Sequence, residues 1–187
     1  MTKIGIILGS TRPGRNGEAV AQWVHQIAAQ RSDAQFELVD IADWKLPLLD
    51  DPLLPGYGSY SRTLTEQWSA KIASFDGFVF VTPEYNHSIP AALKNAIDLL
   101  YVEWNNKAAG FVGYGNTGGA RAIEHLRGVM AELQVADVRA HVGLSLFTDF
   151  VGFSEFTPSP QRDGELTTVL NQVVSWASAL ATLRVAA

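Results

Sequence analysis

Five short apolar runs, each rich in Val, Ile, Phe or Ala, punctuate the chain at Lys3 to Leu8, Phe36 to Ile41, Gly77 to Thr82, Ala108 to Tyr114 and Val135 to Val142. Stretches with helical spacing separate most of them, and that alternation predicts parallel βαβ units in an α/β fold. Phe78-Val79-Phe80-Val81 is apolar at every position, as a central strand covered by helices on both faces should be. Two helical stripes stand out, Leu166, Leu170, Val173, Ala177 and Leu180 in one and Leu93, Ile97, Leu100 and Trp104 in the other, and both read as core faces. The second belongs to a helix expected over Ala91 to Trp104, with Lys94, Asn95 and Asp98 as its polar side. Its Ala92, Ala96 and Leu99 widen the apolar surface beyond one sheet contact, which predicts a subunit interface and a homodimer or dimer of dimers. Ala42 to Ser61 and Phe147 to Asp163 are the long irregular stretches. In the latter, Phe147, Phe150, Phe153 and Phe156 recur every third residue, either to fill the sheet edge or a dimer contact, or to form a lid over a ring-shaped ligand.

At 187 residues the chain supports one substantial core, so residues 1–187 are read as a single domain. A net charge of −5 without any Lys/Arg run argues against nucleic acid or an anionic membrane as the main partner. The sequence has no cysteine, which removes disulfides, thiolate metal sites and redox thiols, so any redox chemistry must come from a cofactor. His25, His125 and His141 are isolated and lack metal-ligand spacing, and no metal site is expected. Met1-Thr2-Lys3 leads straight into the first strand, with no signal-type segment and no uninterrupted apolar stretch long enough for a bilayer; a cytoplasmic protein is expected.

The first candidate site is Gly9-Ser10-Thr11-Arg12-Pro13-Gly14-Arg15-Asn16-Gly17, between the first strand and a helix opening near Glu18. It holds glycines, hydroxyls and two arginines without a carboxylate, and a helix N-terminus already presents N–H groups to an anion. Gly9 and Gly14 have the spacing of the triphosphate P-loop, but Arg15 and Asn16 stand where Lys and a Mg²⁺-binding hydroxyl are required. A dinucleotide G-x-G-x-x-G fails at Thr11, which leaves Asp40, at the end of the second strand, as a loop residue rather than a ribose ligand. A phosphomonoester held by Ser10, Thr11, Arg12, Arg15, Asn16 and Gly17 remains, against the plainer reading of a turn without function.

Thr82-Pro83-Glu84-Tyr85-Asn86-His87-Ser88-Ile89-Pro90 follows the central strand. In doubly wound sheets the first and third βα loops meet where strand order reverses, so two remote loops form one pocket. A third loop, Gly115-Asn116-Thr117-Gly118-Gly119-Ala120-Arg121, places a cation in the first turn of a helix, where the dipole disfavours it. Arg121 therefore calls for an anionic partner, either a carboxylate of the fold or a phosphate of a nicotinamide dinucleotide.

These three ordered motifs, with Pro90 and Leu93-Lys94-Asn95-Ala96-Ile97-Asp98 behind the second, closely resemble the NADPH-dependent FMN reductase family, which includes quinone, chromate and azo-dye reductases. The resemblance implies a flavodoxin-like doubly wound five-stranded parallel sheet of order 2-1-3-4-5 with helices on both faces. It implies that the first loop holds the FMN phosphate, that Pro83, Glu84, Tyr85 and Asn86 line the isoalloxazine partly through backbone groups, and that Tyr114, Gly115, Asn116, Thr117 and Gly118 border the same ring. Tyr85 would stack on flavin or nicotinamide. His87 and Asn16-Gly17 depart from the common family pattern; His87 would tune the acceptor, and with Arg121 it is assigned to the substrate side. The implied activity is hydride transfer from NADPH or NADH to flavin, and onward to a quinone, free flavin or similar small acceptor, with no catalytic base required of the protein. A flavodoxin-type electron carrier is the alternative, and a phosphatase or NTPase the third reading.

Overall fold

The computed structural model describes residues 1–185. Strands β1 (Thr2–Leu8), β2 (Ala34–Asp40), β3 (Gly77–Pro83), β4 (Ala108–Gly115) and β5 (Ala136–Ser145) form one parallel sheet in the order β2-β1-β3-β4-β5, as the resemblance implies. The connections are α1 (Gly17–Ala28), the short α2 (Ile41–Trp44), α3 (Thr63–Ala73), α4 (Ala91–Asp98) and α5 (Ala120–Glu132), and α6 (Gln161–Val185) closes the fold. Strand alternation sorts the core into two halves. Ile4, Ile6, Leu8, Val79, Val81 and Val112 face α1 and α6, while Ile7, Phe78, Phe80 and Phe111 face α3, α4 and α5. The central strand is buried along its whole length, as its unbroken apolar run requires.

Three elements differ from the sequence expectation. The second strand stops at Asp40, because the Asp40 carboxylate accepts the Ala42 N–H and starts α2 inside what reads as an irregular stretch. The helix expected to reach Trp104 stops at Asp98: the Trp104 indole N–H takes the Ile97 carbonyl (3.1 Å), and Asn105 Nδ2 takes the carbonyl of Tyr101 (3.2 Å). Trp104 is fully buried between Phe78 and Phe80, and Ala96 and Leu99 are buried too, so the extra apolar width of this helix is consumed within the chain's own core. Helix α6 reaches the length and apolarity of a bilayer span, contrary to expectation. Its Leu166, Val169, Leu170, Val173 and Ala177 are buried against the sheet, which gives that apolarity a place in the core.

The stretch from Phe147 to Asp163 contains a small antiparallel hairpin, β6 (Phe150–Val151) and β7 (Glu155–Phe156). Its root is fixed by Arg162, whose guanidinium bonds both oxygens of the buried Asp149 carboxylate (2.9 and 3.1 Å). Burial works to raise the Asp149 pKa, but Arg162 and the Ser145 N–H outweigh it and hold the carboxyl below its ordinary value. The four phenylalanines divide in pairs. Phe150 and Phe156 pack into the α1/α6 half of the core, whereas Phe147 and Phe153 are exposed and meet edge to face at 5.5 Å.

Candidate functional site

Gly9 marks the end of β1 by donating its N–H to the Val81 carbonyl of β3 (2.9 Å), so the first loop starts directly beside the second. Ser10 is buried beneath the loop and shares a 3.0 Å hydrogen bond with the Tyr85 hydroxyl, which joins the two loops through their side chains. The two arginines have different environments. Arg15 is tied down: its guanidinium bonds the Ser10 carbonyl, the Asp40 carboxylate and Glu18, leaving 7 % of the side chain exposed. Arg12 is exposed, and among the described residues it forms no ion pair. Asp40 thus holds the loop as well as capping α2, a larger part than its expected role as a plain strand-end residue. Gly17 lets the start of α1 pack closely on the sheet, since a Cβ there would sit 2.5 Å from Tyr114 Oη and 2.8 Å from Leu8 Cδ1 and would push those side chains aside.

The second loop begins with the buried Pro83 at the end of β3, and the Glu84 N–H is fixed by the Tyr114 carbonyl (3.0 Å). Tyr85 and Ser88 then exchange two backbone hydrogen bonds (2.9 and 3.1 Å) around Asn86 and His87, both at positive φ. Those are the marks of a type I′ turn, in which Asn is well suited and His is strained. The Glu84 side chain turns away from the first loop to the start of α5, where it accepts the Arg121 N–H (3.1 Å) and pairs with the Arg121 guanidinium. Burial works to raise the Glu84 pKa, but those Arg121 contacts keep it below its usual range. The anion called for by Arg121 is therefore a carboxylate of the fold. Arg121 also reaches Thr117 Oγ1 and His87 Nδ1, each at 3.2 Å, and His125 Nδ1 lies 2.9 Å from Ser88 Oγ.

In the third loop, glycine is demanded by the backbone. Gly118 and Gly119 have φ of +67° and +71°, and a Cβ on either would press on the main chain of Gly143 or of Gly113 and Tyr114. This loop is held against β4 and β5, with Asn116 and Thr117 turned out at its tip.

The three loops converge on one cleft of about 380 Å³ at the carboxyl ends of β1, β3 and β4. It is lined by Arg12, Gly14, Arg15 and Asn16 from the first loop, Pro83, Glu84 and Tyr85 from the second, and Tyr114 and Gly115 from the third. The other expected residues stand outside its lining: Ser10 and Gly17 support it from below, Asn86 and His87 lie at the exposed turn, and Asn116, Thr117, Gly118 and Arg121 form the outer loop. Thr11 faces a smaller hollow beside Lys45 and Asn95. Leu146, Phe153 and Ser154 also line the cleft. The spacing of the phenylalanines was a signal for Phe153, but nothing local marks Leu146 or Ser154, which are brought in by the path of the chain after β5.

The lining suits a planar ring bearing a phosphate. Arg12 and the loop beside the N-terminus of α1 supply an anion-binding end, and Pro83, Tyr85 and Tyr114 supply an apolar wall with polar tips. Tyr114 Oη is buried beneath the first loop, facing Gly17 and Ser10, and meets no partner within hydrogen-bonding geometry among the described residues. Burial and the neighbouring Tyr85 phenol push its pKa upward, so it remains a neutral hydroxyl with a proton to donate. A larger groove of about 570 Å³ lies elsewhere, between the end of α4, α5 and the segment around Leu49 and Pro55. It is mainly apolar and no phosphate-type loop reaches it.

An NAD(P)H-dependent FMN reductase of Schizosaccharomyces pombe is 43% identical over 135 residues, 71% of this chain and 68% of that protein. A second, from Saccharomyces cerevisiae, is 38% identical over 71% of this chain and 75% of its own. A quinone reductase of Escherichia coli K12 is 37% identical over 68% of each chain. The solved structure of FerB, a flavoenzyme NAD(P)H:(acceptor) oxidoreductase from Paracoccus denitrificans, superposes with a TM-score of 0.74 at 20% identity, covering 96% of this chain and 98% of that one, and so shares the fold. The model of the family described as NADPH-dependent FMN reductase matches residues 2–149, a span that contains all three converging loops, and the chain belongs to that family.

Proposed function

We propose that the three-loop cleft is the FMN site of an NAD(P)H-dependent flavin oxidoreductase, and that the convergence of Arg12, Tyr85 and Tyr114 on one cavity carries this reading. The relatives named as FMN and quinone reductases support the enzyme over an electron carrier. When bound, FMN supplies hydride acceptance from NAD(P)H and electron delivery to a small acceptor such as a quinone. The chain's own task is to bind and orient. Arg12 and the loop amides up to Asn16 hold the phosphate, while Arg15, anchored on Asp40, holds that loop in shape. Pro83 and Tyr85 would form the wall of the ring, with Glu84 and Gly115 lining the cleft beside them. Tyr114 would back the ring from the β4 side of the cleft. Arg121, neutralised by Glu84, and His87 border the entrance used by donor and acceptor.

The quaternary and cellular parts of the proposal rest on other observations. The 570 Å³ groove, with Leu49, Tyr101, Val129 and Leu133 in its lining and the exposed Leu54 and Tyr57 in the adjoining segment, is the face we assign to a homodimer. Light scattering at micromolar concentration should give twice the chain mass or a multiple of it; a monomer would overturn that assignment. A cytoplasmic location is consistent with use of the intracellular NAD(P)H pool. For the activity itself, anaerobic titration of the purified yellow protein with NADPH and then NADH should bleach the flavin band rapidly. A band that persists with both donors refutes the reductase reading.

A further inference from the structure

The hairpin β6–β7 lies beyond residue 149, where the family match ends, and yet its turn reaches the cleft. Gly152 and Phe153 both have positive φ (57° and 61°), and the turn closes with the Ser154 N–H on the Val151 carbonyl (3.2 Å). A left-handed backbone suits Gly152, but at Phe153 it strains a bulky side chain where Gly or Asn would be at ease. The Phe153 ring lines the cleft beside Arg12, Asn16 and Tyr114, and more than half of it is exposed. Its carbonyl accepts a 2.7 Å hydrogen bond from Asn16 Nδ2, which ties the hairpin to the phosphate loop. The Phe147 ring, itself exposed, supports it from the outer side. This is an aromatic residue held in a costly conformation, latched to the first loop, and presented to the three-loop cleft.

We infer that Phe153 is an FMN-contacting residue supplied by this chain's own hairpin, and that it makes FMN a retained prosthetic group instead of a flavin released as product. This rests on the assignment of the three-loop cleft to FMN. With the cofactor in place, the exposed ring gains an apolar surface to cover, and leaving requires the Asn16–Phe153 latch to open first. The phosphate loop and the hairpin thereby grip the same molecule from two sides.

The test is the rate of FMN release from the holoenzyme, followed by the rise of flavin fluorescence on dilution, with the melting temperature of the FMN-free protein measured in parallel so that ligand-linked stabilisation does not enter it. Phe153→Asn relieves the strained turn but removes the ring, so it should release FMN about tenfold faster while its Tm stays level or rises. Phe153→Tyr should release FMN at the parent rate. Opposite movement of retention and Tm is the mark of a direct contact, because a merely structural role would lower both together. Equal release rates for parent and Phe153→Asn, or a joint fall of retention and Tm, would overturn the inference. Loss of FMN from the parent within the dead time of dilution would overturn it too. A parent protein that neither carries FMN nor takes up added FMN would instead sink the cleft assignment, and the role of Phe153 with it.

Discussion

Arg12 and Arg15 stand three positions apart in a loop assigned to a phosphate, and the structure separates their contributions. Arg15 already satisfies Asp40, Glu18 and the Ser10 carbonyl, so its charge is largely spent within the fold. Arg12 faces outward from the same loop and lines the cleft without a carboxylate partner among the described residues. Replacing Arg12 by Ala removes a charge-assisted hydrogen bond to the phosphate, a loss of about 1.5–3 kcal/mol. That corresponds to a rise in FMN Kd of roughly tenfold to 150-fold. Riboflavin has the same ring and ribityl chain without the phosphate, so its affinity should change by less than about twofold in this variant. Arg15→Ala should behave differently: it leaves the Asp40 carboxylate, 20 % exposed, without its cation and costs roughly 1–3 kcal/mol of folding stability. Calorimetric titration of each apoprotein with FMN and with riboflavin, alongside urea unfolding, measures these quantities. An Arg12→Ala protein that binds FMN as the parent does, or that loses riboflavin and FMN affinity in equal measure, would refute the separation.

Gly118→Ala combines a φ of +67° with a Cβ 3.1 Å from the Gly143 main chain, which cannot give way; a loss of about 2–5 kcal/mol is expected by urea unfolding, and one below about 0.5 kcal/mol would contradict the packing argument. Trp104→Ala should cost about 3–5 kcal/mol, since the indole fills the core beside Phe78 and caps α4; a mild effect would mean the site collapses freely. Lys107 is buried beneath the end of α3, donating to the Ile72 and Ala73 carbonyls, and burial, aided by the nearby Arg184, brings its pKa down to about 7. The unfolded chain keeps that proton up to about pH 10.4. The folded state therefore binds fewer protons between those values, and the Lys107 contribution to stability increases with pH across that window. Parent and Lys107→Met stabilities compared from pH 6 to pH 10 should diverge in favour of the parent as pH rises; parallel curves would show that the lysine does not titrate there.

The sheet was legible because burial on both faces leaves so plain a trace in Phe78 to Val81, and because strand-and-helix alternation admits few topologies. Helix ends were harder. The stop at Asp98 depends on the Trp104 indole reaching back to Ile97, a contact between residues whose distance in space no local pattern reveals. The three loops were readable from their glycines and charges, but the direction of each side chain was not. Glu84 lines the cleft, but its side chain turns to Arg121, since a buried carboxylate needs a cation and the start of α5 provides one along with an amide. Leu146 and Ser154 reach the cleft only through the return of the chain after β5, a property of tertiary path alone.

The Asn86–His87 turn has a consequence for how such a protein diversifies. Its frame is secured by main-chain atoms of Tyr85 and Ser88, and the outward His87 side chain adds only one exposed contact, to Arg121. A change at position 87 to another residue that accepts a left-handed backbone can alter what an arriving molecule meets and leave the loop below undisturbed. Novelty is inexpensive at this corner of the surface, but the backbone narrows the alphabet in which it can be written.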